Sequence, residues 1–268
     1  MRTDRLPPLA LAHLTLLDQP PLALAPIAAR AGFAAIGLRL HPAHPGGIFY
    51  DLSTQAARAA LRRCLDGEGI RLHDVEFVTI GADFDADAFV PLLVEAAELG
   101  AARVSACGDD PEPARQAASF ARLCERAAPF GLGVDLEWMG WRPVGTLAAA
   151  LAAVRAAGQP NGAILVDALH LIRNGAGPDD LVGLDPHLIR SVQICDAAAT
   201  APADRDGIIA EARGLRLPPG QGALPLGALL AALPEDAALS CEVPMAAPAA
   251  PADRAREIFL ATRGLFGG

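Results

Sequence analysis

Short β-branched and apolar runs alternate along the chain with Ala-, Leu- and Arg-rich segments whose apolar positions recur every three or four residues. The runs predict strands over 9–15, 35–40, 72–80, 103–107, 133–137, 163–167, 191–196 and 238–243. Helices are predicted near 22–31, 53–66, 86–99, 112–128, 146–157, 179–183, 225–233 and 252–264. Ser53 and the Asp179, Asp180 pair after Pro178 stand where N-caps belong. Gly32, Gly69, Gly100 and Gly158 stand just past helix ends, where a left-handed residue closes the last turn. Eight strand-helix units in 268 residues average about 33 residues each, the economy of a (β/α)8 TIM barrel. The same alternation suits an open doubly wound sheet, the competing architecture. The Pro/Ala stretch 244–251 is the best linker candidate, yet only one helix follows it, so residues 1–268 are read as a single barrel domain.

Composition narrows the chemistry. All 22 basic residues are arginine. Schiff-base, pyridoxal and lysine-dependent phosphate-loop mechanisms need an amine that can lose its proton, which arginine practically never does, so an electrophile of another kind is required. A formal net charge of −9 argues against nucleic-acid binding, which draws on clustered positive charge. Aromatic residues make up only 4%, so the core must be built from Ala, Leu, Val and Ile. Cys64, Cys107, Cys124, Cys195 and Cys241 form no CxxC pair and read as reduced core residues of a cytoplasmic protein. Arg2 and Arg5 precede an apolar run over 6–17, but Pro7, Pro8, His13 and Asp18 interrupt it, so a secretion signal is not expected. No run of 18 apolar residues predicts a membrane span.

If the strands close into a barrel, functional groups belong at their C-terminal ends. Glu137 ends GVDLE, Asp167 ends AILVD, Gln193 and Asp196 lie in SVQICD, and Glu242 follows LSC. One such residue alone is as well explained by a strand-end cap or a salt bridge to an arginine. Three carboxylates and an amide oxygen converging on one point would repel each other unless a cation joined them, which points to an oxygen-rich Mn²⁺ or Mg²⁺ site.

These stretches resemble the xylose isomerase-like (β/α)8 superfamily, the sugar-phosphate isomerase/epimerase group. The resemblance rests on VDLE ending at Glu137, on Asp167 and His170 in ILVDALH, and on QICD from Gln193. It continues through Arg213-Gly-Leu-Arg216 leading into Pro219-Gly-Gln-Gly222, and Ser240-Cys-Glu242. It covers the C-terminal half well and the N-terminal half only as a barrel pattern. It implies that Glu137, Asp167, Gln193 and Glu242 bind one divalent ion, Mn²⁺ or Mg²⁺ first, with Co²⁺ and Zn²⁺ as alternatives. Glu137 and Glu242 would then move protons on opposite faces of a small sugar or cyclitol-type hydroxy-ketone, through an enediolate. Histidine is the commonest third ligand among the epimerases. Gln193, with the Pro-Gly-Gln-Gly turn, is instead similar to the 3-dehydroshikimate dehydratase branch. A metal-dependent isomerase or epimerase of carbohydrate metabolism is thus the first expectation, a dehydratase (lyase) the second, and a non-catalytic ligand-binding barrel the third.

Further candidates surround this set. His170 lies three residues beyond Asp167, and analogy makes it a substrate contact; a solvent-exposed loop histidine is the plainer reading. Arg213 and Arg216 precede the Pro-Gly-Gln-Gly turn, where one of them is expected to reach a carboxylate, phosphate or vicinal diol. Glu76 is a candidate substrate-side carboxylate beside Asp74. Trp138 and Trp141 are candidate walls for a carbon skeleton. His41 and His44 lie in a loop suited to covering the site, and His13 reads as a core histidine. The partner is expected to be a small polyhydroxylated molecule, not a nucleic acid or a membrane, and superfamily barrels suggest a homodimer or homotetramer. Endonuclease IV shares the fold but needs a histidine-rich zinc cluster and a basic face, which six histidines and a net charge of −9 do not supply.

Overall fold

A computed structural model describes residues 7–246 and 249–267. Arg2, Arg5 and part of the 244–251 stretch lie outside the described residues. Eight parallel strands close in sequential order into one barrel: β1 Leu9–Leu11, β2 Ala35–Arg39, β3 Arg71–Ile80, β4 Arg103–Gly108, β5 Gly133–Glu137, β6 Gly162–Asp167, β7 Ile189–Ile194 and β8 Ala238–Cys241. β1 pairs with β8 through Leu9–Leu239 and Leu11–Cys241, so no sheet edge remains and the open-sheet alternative is excluded.

The α-helices are α1 Pro21–Ala31, α2 Gln55–Glu68, α3 Val90–Glu98, α4 Pro113–Ala127, α5 Leu147–Ala157, α6 Ala168–Arg173, α7 Arg205–Gly214, α8 Leu226–Ala232 and α9 Pro251–Gly264. Leucine, alanine, valine and isoleucine dominate the packing between sheet and helices, with Phe120 and Trp138 as the largest fully buried side chains. All five cysteines are unpaired, four of them buried.

Local differences from the sequence reading have local causes. The first strand ends at Leu11, because His13–Leu16 turn into a 3₁₀ segment with His13 bonded to the Arg39 and Gln19 backbones. Thr54, not Ser53, caps α2: it is the residue before the first helical turn, and its hydroxyl accepts the Ala57 N–H at 3.2 Å. The segment near 179–183 is a 3₁₀ turn over Pro178–Leu181. Helices α6 and α7 were not foreseen, being short or rich in Asp, Gly and Arg. A paired-oxygen bond from Arg173 to Glu211, at 2.7 and 2.9 Å, ties them together.

Alternation along each strand sends every second side chain inward, so the strand-end residues have partners one layer below them. Asp135 lies below Glu137, Ser191 below Gln193, Asp74 below Glu76 and Gly37 below Arg39. Asp135 accepts from Arg103 at 2.5 and 2.6 Å and, across the barrel, from Ser191 at 2.6 Å. Asp74 accepts from Ser105 at 2.9 Å. Gly37 leaves room for Asp74, whose Oδ1 would be 2.5 Å from a Cβ at that position. The barrel floor is therefore polar and cross-bonded where branched apolar residues usually sit.

Candidate metal centre and substrate cavity

The ends of β5, β6 and β7 and the residue after β8 place Glu137, Asp167, Gln193 and Glu242 together, each no more than 5% exposed. Arg216, from the segment after α7, lies among them and is 2% exposed. Its Nη1 is 2.5 Å from Asp167 Oδ2 and its Nη2 is 3.0 Å from Glu242 Oε2. Gln193 Nε2 donates to Glu242 Oε1 at 2.9 Å. Asp167 Oδ1 accepts the His170 backbone N–H at 3.0 Å, so the same side chain starts α6 and serves the site. Glu137 has no arginine within ion-pair distance among the described residues; His170 Nε2 lies 3.8 Å from its Oε1.

One cation does not balance this cluster. Burial, then the charges of Glu242 and Asp167, hold the Glu137 carboxyl well above the ordinary range. Burial likewise pushes Glu242 up to about 8, against the pull of Arg216. For Asp167, burial acts upward but is outweighed by Arg216 and His170, and its carboxyl stays below the ordinary value. Burial drops His170 to about 4, so its ring is neutral at pH 7.

The donor set suits a hard divalent cation. Gln193 Oε1 is buried with no hydrogen-bond partner, an orphaned acceptor of the kind a metal ion satisfies. Ligand atoms of Glu137, Asp167 and His170 lie within 4.8 Å of one another. The carboxylate oxygens that bond Arg216 keep a second lone pair. Glu137, Asp167 and His170 thus bring ligand atoms together, and the unpartnered Gln193 Oε1 and the Glu242 carboxylate lie at the same end of the barrel.

A cavity of about 360 Å³ opens above these groups. Glu137, Gln193, Glu242, His170, Arg213, Arg216 and Glu76 all line it, as do Trp141 and His44. Trp138 does not. It follows Glu137, so its side chain leaves the opposite face of the strand; it is 0% exposed and its indole N–H points to the His170 carbonyl at 3.4 Å. The wall is Trp141, set edge-on to His170 with ring centroids 5.2 Å apart. Arg216 also departs from the expected role, since its donors are taken up by Asp167 and Glu242. Asp196 is a scaffold: it accepts backbone N–H groups of Ala197, Gly220 and Leu224, each at 2.9 Å, and so shapes the Pro-Gly-Gln-Gly turn. Gly222 has no room for a Cβ against the Ala197 backbone and the Asp196 carboxylate. His41 packs against Phe89.

Two residues were missed from sequence. Arg39 ends β2 and pairs with Glu76 inside the cavity. Arg142 lines the cavity and bonds Asp109 at 3.0 Å. Arg39 ends its strand as the carboxylates end theirs, a usable signal; Arg142 lies in a loop, and nothing in its local pattern sets it apart.

A family model described as xylose isomerase-like TIM barrel matches residues 25–262. A 3-dehydroshikimate dehydratase of Pseudomonas aeruginosa is 34% identical over 121 residues, a match that takes in 45% of this chain and 18% of that protein. The chain thus matches less than a fifth of that relative's length. The structure of an IolI protein with a binding zinc atom aligns with a TM-score of 0.77 at 18% identity, covering 97% of this chain and 98% of that one. A D-allulose 3-epimerase from Methylomonas sp. in complex with D-allulose aligns with a TM-score of 0.68 at 16% identity, covering 95% and 96%. At such identities the structural likeness speaks for the fold. Among the described residues no helix is long and apolar enough to cross a membrane.

Proposed function

We propose a lyase reaction for this chain, which belongs to the xylose isomerase-like TIM barrel family: elimination of water from a β-hydroxy ketone at a divalent metal centre. The observation that carries the reading is the buried, unpartnered Oε1 of Gln193, whose amide nitrogen is bonded to Glu242. An amide donates less charge to an ion than histidine or a carboxylate would and leaves it the stronger Lewis acid. The 34% identity to a 3-dehydroshikimate dehydratase supports the same reading.

Glu137, Asp167, Gln193 and Glu242 would hold the ion. When bound, it supplies a Lewis acid that polarises a ketone and makes the neighbouring C–H acidic. Glu137 or Glu242, the two acids of the set that line the cavity, takes the α proton. The electron pair of the broken C–H bond becomes a C=C bond as the β C–O bond breaks, and the hydroxyl leaves with a proton as water. His170, uncharged at pH 7, holds a substrate hydroxyl by hydrogen bonding. Trp141 covers the carbon skeleton.

Epimerisation is the second reading, favoured by the presence of both Glu137 and Glu242 in the cavity wall, where one can remove a proton and the other return it. The test is to mix the Mn²⁺-loaded protein with 3-dehydroshikimate and follow the near-ultraviolet absorbance. The lyase reading expects a steady rise as conjugation forms, abolished by chelator. A flat trace with unchanged substrate contradicts it.

A further inference from the structure

The proposed elimination leaves one proton without a donor. The hydroxyl must depart as water, yet in that reading Glu137 and Glu242 serve the ion and the α proton, and Glu76 is bonded to Arg39. The floor of the cavity holds a further acid. Ser105, on β4 between the strands that carry Glu76 and Glu137, lines the cavity and is 2% exposed. Its hydroxyl is 2.9 Å from Asp74 Oδ2. Asp74 lies one layer deeper, is buried and does not itself line the cavity, so Ser105 stands between it and a bound substrate.

The surroundings of Asp74 favour the protonated acid. Arg103, from the same layer, is bonded to Asp135 instead. Asp74 Oδ1 and Glu76 Oε1 both approach the place that a Cβ on Gly37 would fill, at 2.5 and 3.6 Å, so two carboxyl groups face each other across the gap the glycine leaves. Two such groups do not readily hold charge together in a buried place. Burial pushes the Asp74 carboxyl up to about 6; His73 draws it down, Glu76 and Asp135 push it up, and the Ser105 bond lowers it. A buried hydroxyl beside a carboxyl group has two arrangements. With the acid ionised, Ser105 spends its proton on Asp74. With the acid protonated, Asp74 donates to Ser105, and the Ser105 proton is free to point into the cavity.

We propose that Ser105 protonates the departing hydroxyl and that Asp74 replaces the proton Ser105 gives up. The proposal rests on the lyase reading. As the β C–O bond breaks, its electron pair stays on the leaving oxygen, which takes the Ser105 proton and departs as water, while Ser105 takes the proton of Asp74. Asp74 is left as a carboxylate. It regains a proton from solvent through Ser105 once the product has gone, and the carboxylate that took the α proton returns it to solvent, so each turnover is balanced. Ser105 is the catalytic residue, and Asp74 is a positioning residue that acts through it.

The test compares Mn²⁺-loaded native protein, Ser105→Ala and Asp74→Asn in D₂O with 3-dehydroshikimate, following product and the deuterium content of recovered substrate. Asn at 74 can keep the bond to Ser105 but has no acidic proton to give. Both variants are expected to form product more slowly by on the order of a hundredfold, while the α C–H still exchanges with solvent, because the enolate forms and lacks a donor for its leaving group. A displaced ion or base would slow exchange and elimination together. Infrared difference spectra, native minus Asp74→Asn, need no turnover: a protonated-carboxyl band is expected that fades as pH rises through about 6 and shifts in Ser105→Ala. Elimination at the native rate in either variant, parallel loss of exchange and elimination, or absence of the band would each overturn the proposal. A native protein that leaves 3-dehydroshikimate unchanged overturns the lyase reading instead, and the band then still decides whether Asp74 holds a proton beneath Ser105.

Discussion

Gln193 donates its amide N–H to Glu242 at 2.9 Å and leaves its own Oε1 buried without a partner. The bond ties the amide nitrogen to Glu242 and leaves the oxygen as a free acceptor. Gln193→Leu keeps most of the volume and removes the oxygen. The expected result is a loss of Mn²⁺ affinity of about tenfold or more, read by calorimetric titration. Gln193→His, by contrast, restores a donor and is expected to recover most of the affinity.

Arg216 is the only arginine within ion-pair distance of Asp167 and Glu242 among the described residues. Arg216→Met strands two buried carboxylates, a loss expected to cost about 3–5 kcal/mol in denaturant unfolding of the metal-free protein. Because an ion compensates the same charges, added Mn²⁺ is expected to stabilise Arg216→Met more than it stabilises the native protein. Equal stabilisation of the two would show that Arg216 and the ion do not share the carboxylates.

The polar floor gives a pH prediction. Burial raises the Asp74 carboxyl from 3.8 to about 6, against the opposing pull of His73 and Ser105. Between those two values the native state holds a proton that the unfolded chain has released. The stability linked to Asp74 is therefore full at low pH, declines as pH rises through about 6, and is level above that. Asp74→Asn still accepts from Ser105 and removes the titration. It is expected to be more stable at pH 8 by up to about 3 kcal/mol, and to lose this slope in urea unfolding measured from pH 4 to 8.

The two tryptophans separate packing from binding. Trp138 is fully buried, and Trp138→Ala is expected to cost about 3–5 kcal/mol of stability. Trp141 is only partly buried and lines the cavity, so Trp141→Ala is expected to raise KM severalfold with a stability loss under about 2 kcal/mol. Urea unfolding and steady-state kinetics on the same two variants check both halves.

The barrel was legible in the sequence because period-2 and period-3.6 patterns alternate without a break, and Gly32, Gly69, Gly100 and Gly158 close helices in the left-handed conformation expected of them. The polar cluster at the barrel end was legible for a related reason: Glu137, Asp167, Gln193 and Glu242 are polar residues at the ends of apolar runs, a placement that strand packing does not call for. Trp138 was misread because adjacency to Glu137 looks like proximity, whereas neighbouring strand residues point to opposite faces. Arg216 and Arg213 could not be told apart from spacing alone; the difference lies in which acids the closed barrel brings within reach. Arg142 and Asp109 come from loops on different strands, and their pairing has no local trace.

The central claim is elimination at an ion held by Glu137, Asp167, Gln193 and Glu242, and proton NMR of 3-dehydroshikimate with the Mn²⁺-exchanged protein in D₂O, quenched with chelator before acquisition, tests it most directly. The predicted result is loss of one water per substrate and appearance of the unsaturated product, absent in Glu137→Gln and in metal-free protein. Deuterium entering the substrate with every hydroxyl retained, or substrate recovered without exchange, would contradict it.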